Sequence, residues 1–159
     1  MVVYCKIQLI LEINLNPIKM KNIFFLFVMS CGLTFAQDIT WGETFNADFV
    51  IDSAMTTDGK NWQIAASGDA GPYGKAYLSY SFTNYFDAEG QGEFTGFAWT
   101  QVGEKVVNGS LQGLWKKEGK VFKMYSLDND ATNGVFNIVS GEVDFVAKTM
   151  KFKVAPIKD

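Results

Sequence analysis

From Lys75 to Phe145 apolar side chains recur at every second position, and short clusters of Gly, Asn and Asp interrupt them. No other feature constrains the chain as much. A period of two sends successive side chains to opposite faces of an extended strand, whereas a helix needs apolar residues three and four apart. The clearest run is Lys75–Phe86, with Ala76, Leu78, Tyr80 and Phe82 on one face and Tyr77, Ser79, Ser81 and Thr83 on the other. Glu93–Gln101, Val106–Trp115, Lys120–Leu127 and Val135–Phe145 follow, separated by polar turns such as Asp87–Gly92 and Lys116–Gly119. Phe45–Ile51 and Asn61–Ala66 precede this stretch, Met150–Val154 ends it, and Ile39–Gly42 offers one short strand more.

Runs at roughly 10–12-residue spacing with brief connections indicate a sandwich or a barrel. Consecutive hairpins without a long crossover favour an all-β, antiparallel up-and-down β-barrel of about eight strands, since closure removes the exposed edges of an open meander. Residues 37–159 are expected to form this single domain. Gly96, Gly113 and Gly141 fall inside strand patterns. Interior glycine weakens a strand, so its presence there predicts tight curvature or a close approach of backbones. Gly141 is read as a bulge. Ser67–Gly74 is the longest irregular stretch and is predicted to be a rim loop.

Met20-Lys21-Asn22, the apolar run Ile23–Met29 and Thr34-Phe35-Ala36 have the three-part layout of a secretory signal peptide over residues 20–36. Residues 1–19 then read as a mis-assigned N-terminal extension. The expected location is secreted or periplasmic. A lipid anchor on Cys31, preceded by Val28-Met29-Ser30, is the alternative. Both cysteines, Cys5 and Cys31, precede a cut after Ala36, so the predicted domain carries no thiol.

The charge balance removes much chemistry. All 14 basic residues are Lys, against 17 acids, and there is no His and no Arg. There is thus no imidazole base or metal ligand, and no guanidinium fork for phosphate or carboxylate. A pI near 5.0 argues against nucleic-acid binding. Asp128–Gly134 resembles a calcium loop, but its Gly falls one place late and Val139 stands where a bidentate Glu belongs. It is read as a polar turn. Asn108-Gly109-Ser110 matches a glycosylation sequon and is read as a hairpin turn. Glu142 and Asp144 share a strand face, but Val143 and Phe145 are expected to face the core and leave both acids in water. No catalytic residue, cofactor or metal is assigned.

The segments Gly92-Glu93-Phe94-Thr95-Gly96-Phe97-Ala98, Gly109-Ser110-Leu111-Gln112-Gly113-Leu114-Trp115 and Gly141-Glu142-Val143-Asp144-Phe145 resemble the glycine-punctuated strands of the allene oxide cyclase and dirigent barrel superfamily, particularly its small bacterial members. The resemblance spans about residues 75–152 and implies an eight-stranded antiparallel barrel, often trimeric, with an apolar cavity for a hydrophobic or phenolic ligand. This chain lacks the cavity Arg of dirigent proteins, and none of its residues matches the catalytic positions of the plant enzymes.

Trp and Tyr rings are numerous and lie on both strand faces. One face can line a barrel, and the other is expected to meet a second copy or another surface. Tyr80, Phe82, Phe94, Trp99, Trp115 and Phe122 are the candidate ligand-binding residues, chosen for residue type and strand position. The expected role is an exported, non-catalytic barrel that binds a small apolar or aromatic molecule and self-associates as a homo-oligomer, with the trimer the implied form. A barrel isomerase or cyclase acting on a hydrophobic substrate is one alternative. A structural or adhesive cell-envelope protein is the other. Neither nucleic acid nor a membrane span is expected.

Overall fold

The computed structural model describes residues 39–158. The expected extension, leader and both cysteines lie outside these residues. Nine strands follow in chain order: β1 (Thr40–Trp41), β2 (Phe45–Met55), β3 (Trp62–Asp69), β4 (Lys75–Thr83), β5 (Gln91–Val102), β6 (Lys105–Glu118), β7 (Val121–Asp130), β8 (Val135–Asp144) and β9 (Thr149–Lys158). One 3-10 turn, Gly71–Tyr73, lies between β3 and β4. Each strand from β2 to β9 pairs antiparallel with the next. β9 pairs again with β2, Phe45 standing opposite Val154, which closes an eight-stranded up-and-down barrel. β1 adds a two-residue extension beside the end of β9. Among the described residues, no helix is long and apolar enough to cross a membrane.

The alternation in the sequence becomes the inside and outside of the barrel. On β4, Ala76, Leu78, Tyr80 and Phe82 are buried, while Tyr77 and Ser79 are exposed. Phe94, Met124, Val143 and Met150 are the largest fully buried side chains, at 2% exposure or less. Each such side chain contributes about 2–3 kcal/mol by leaving water.

The strand-interior glycines explain how so many rings fit. Tyr80 stands directly opposite Gly96, Phe94 opposite Gly113, Trp115 opposite Gly92 and Phe152 opposite Gly141. A Cβ on any of these glycines would meet both the facing ring and a carbonyl oxygen of the neighbouring strand. Each ring lies over bare backbone, and ring contact offsets the strand's loss of a side chain.

Four local expectations need correction. Gly141 is no bulge: the register runs through it unbroken, Met124 on one side and Phe152 on the other. The register shift lies in β2, between Ile51 and Ser53. Asn108-Gly109 is not a turn. Gly109 pairs with Ala98 and Asp130 inside the sheet, and the β5–β6 hairpin turns at Gly103–Glu104, where Gly103 takes a positive φ of 62°. β4 stops at Thr83 rather than Phe86, because the Asn84 side chain brackets Ala88, accepting from its N–H at 2.9 Å and donating to its carbonyl at 2.8 Å. The expected loop at Ser67–Gly74 is shorter than predicted, since Ser67, Gly68 and Asp69 still belong to β3.

Candidate functional site

The barrel interior is divided. Tyr80, Phe82 and Phe94 form a mutually contacting group with ring centroids 5.5–5.8 Å apart. Phe94, Met124, Val143 and Met150 fill the middle and line neither of the cavities above and below.

One end is a cleft of about 740 Å³ beneath the β2–β3, β4–β5 and β8–β9 connections. Trp62, Phe82, Trp115, Phe122 and Phe145 supply its aromatic wall. Phe122 touches Trp115 at 5.6 Å and Phe145 at 5.2 Å between centroids, so these three rings form a continuous wall. The indole N–H of Trp115 donates to the carbonyls of Thr83 at 3.2 Å and Glu93 at 3.1 Å. Those bonds fix the ring and leave its apolar surface for contact. Lys60 and Asp87 sit at the rim, joined at 2.7 Å.

The other end is a cavity of about 120 Å³ with an apolar wall and an unusual group of inward polar residues, Tyr73, Thr100, Asp128, Asp130 and Asn137. Asp130 is fully engaged. Its Oδ1 accepts from the amides of Thr132 and Asn133, and its Oδ2 accepts from Asn133 Nδ2 and from the Tyr73 hydroxyl at 3.0 Å. Burial and that bond push the Tyr73 phenol up to about 12. Asp130 thus shapes the turn that follows it, while Asp128 and Asn129, expected in that turn, still belong to β7; among the described residues no group of three acids could hold a metal ion. Asp128 differs from Asp130. Burial pushes its carboxyl up to about 7, against opposing contacts with Ser126 and the backbone of Gln112.

The six predicted ring residues separate accordingly. Phe82, Trp115 and Phe122 meet at the aromatic cleft. Tyr80 faces the smaller cavity, and Phe94 is sealed in the floor. Trp99 stands on the outer wall, 45% exposed, stacked on Tyr77 at 4.5 Å. Trp62 and Phe145 line the cleft without having been singled out, and so do Asp128 and Asn137 in the cavity. Glu142 pairs with Lys123 at 2.8 Å. Asp144, expected in water, is instead only 9% exposed: it accepts from the amides of Val146 and Ala147, and Lys120 stands 3.0 Å from it.

Fold and site together define a small closed antiparallel barrel with an aromatic mouth at one end and an acid-bearing cavity at the other. Compared with protein-family models, curated proteins and solved structures, the chain matches none.

Proposed function

We propose that this is an exported, non-catalytic barrel protein that binds a small apolar or aromatic molecule in the cleft walled by Trp62, Phe82, Trp115, Phe122 and Phe145. The observation that carries the reading is the cleft itself. At about 740 Å³ it exceeds the lower bound of roughly 300 Å³ for ligand sites, and its rings are held in place by backbone and ring contacts. Membership of the allene oxide cyclase and dirigent superfamily is part of the proposal and rests on the glycine-punctuated strands alone. The isomerase or cyclase reading has one observation in its favour, the raised carboxyl of Asp128. That group lies at the opposite end from the aromatic mouth, so the two do not act on one molecule.

The test is a fluorescence titration with N-phenyl-1-naphthylamine, a neutral aromatic probe that brightens in apolar surroundings. The protein is expected to bind it with energy transfer from Trp. Trp115→Ala and Trp62→Ala should each weaken binding by about tenfold, the loss of one well-packed ring contact. Trp99→Ala, on the outer wall, should change nothing. Undiminished binding by both cleft variants would overturn the assignment.

A further inference from the structure

Two acceptor atoms are buried in the smaller cavity with no hydrogen-bond partner, Asp128 Oδ1 and Asn137 Oδ1. Their positions are paired by the sheet. Asp128 stands directly opposite Asn137 across β7 and β8, and both line the same cavity. Asn137 is only 6% exposed. Buried polar atoms in folded proteins are nearly always bonded, because leaving one unpaired costs about 1–3 kcal/mol. Two such atoms side by side in a cavity therefore mark a place where donors from outside the chain belong.

The wall around them indicates which donors. Among the described residues no Lys lines the cavity, while Asp128 and Asp130 both do. The groups facing Asp128 are Tyr80 from β4, Ser126 on its own strand, the Gln112 backbone of β6 and Asn137 of β8; the nearby Asp130 already has four donors. No cation is among them. The remaining wall is apolar or aromatic, including Phe49, Leu78, Leu111, Val139 and Phe152. The β6–β7 ladder also opens here. Ser110 pairs with Asn129 and Gly113 with Ser126, but Leu111 and Gln112 have ladder partners on β5 and not on β7.

We propose that this end of the barrel binds a small primary ammonium ion bearing a short apolar group, with the Asp128 carboxylate and Asn137 Oδ1 accepting its N–H donors. An ammonium has three donors and no acceptor, which suits a site whose orphan atoms are both acceptors. It supplies the positive charge that the wall lacks, and its short chain lies against the apolar residues. A volume of about 120 Å³ admits one such molecule. This site is separate from the aromatic cleft, and its test stands independently of that reading.

The probe is n-butylamine, with 1-butanol as the neutral control of matching shape, followed by ligand-observed NMR on the whole protein. n-Butylamine is expected to bind more tightly than 1-butanol. The amine stays charged between pH 6 and 8 while Asp128 loses its proton, so its affinity should rise by about tenfold across that interval. Asp128→Asn keeps the shape of the side chain and should abolish both the preference for the amine and the pH dependence. Trp115→Ala should alter neither. Equal binding of amine and alcohol, or an amine preference that survives Asp128→Asn, would overturn the proposal and leave the orphan atoms to water.

Discussion

The two ends of this barrel share one wall and the same strand alternation, yet one holds a wide aromatic cleft and the other a narrow polar cavity. At the wide end the turns are held mainly by their own polar groups. Asp58 accepts from the amides of Lys60 and Asn61, which holds its carboxyl well below the usual range, and Asn84 brackets Ala88. Among the described residues two ion pairs reach between connections there, Lys60–Asp87 with side chains 67% and 71% exposed and Lys120–Asp144 with the lysine 77% exposed, and pairs to such exposed lysines contribute little. At the narrow end Asp130 serves its own turn and also accepts from Tyr73 on a different connection, so one carboxylate ties the 3-10 turn to the β7–β8 turn. The narrow end is thus tied by a half-buried bond between inward side chains, whereas the wide end is tied by ion pairs to exposed lysines.

The comparison can be broken or sharpened at several points. The largest effect is expected from Phe94→Ala, which removes the floor between the two cavities. It should cost about 4 kcal/mol in urea unfolding and make naphthylamine binding at the aromatic end sensitive to Asp128→Asn. Next is Asp128→Asn itself. A carboxyl near 7 in the folded protein and near about 3.9 in the unfolded chain keeps its proton longer when folded. Wild-type stability should therefore fall as pH rises from about 4 to about 7 and level off above it. The variant should lack this slope and be about 4 kcal/mol more stable than wild type at pH 8, the full linkage term. Tyr73→Phe removes the tie across the narrow end and should cost about 2 kcal/mol, the range for a hydrogen bond to a charged acceptor. Asp87→Asn, at the wide end, should leave the melting temperature unchanged at physiological salt.

Strand positions were legible because alternation is a property of the chain itself. Every predicted run from Phe45 onward corresponds to a strand of the barrel. The errors arose where a residue type carried the reading without its neighbours. Asn108-Gly109 has turn chemistry, yet Gly109 sits in a strand where its missing Cβ leaves room for Asn129 and Asp130 of β7. Trp99 was chosen as a ring, although it lies five residues from Phe94 and so on the opposite face. The same parity places Trp62 with Ile64, Asp128 with Phe122 and Met124, and Asn137 with Val139, all facing inward. Reading Asp128–Gly134 only as a turn concealed that its first residue continues the inward face of β7. Which residues share an end was not legible. That depends on the direction of every strand, and the pattern alone does not state it.

The most direct measurement is a pH titration of the aspartate side-chain carboxyls by carbon-13 NMR, with the Asp128 signal identified by its loss in Asp128→Asn. The account predicts a midpoint near 7 for this one group, the mark of a carboxyl buried at the narrow end of the barrel. A midpoint near the ordinary value of about 4 would mean that water reaches it freely, and the division of the barrel into two unlike ends would be wrong.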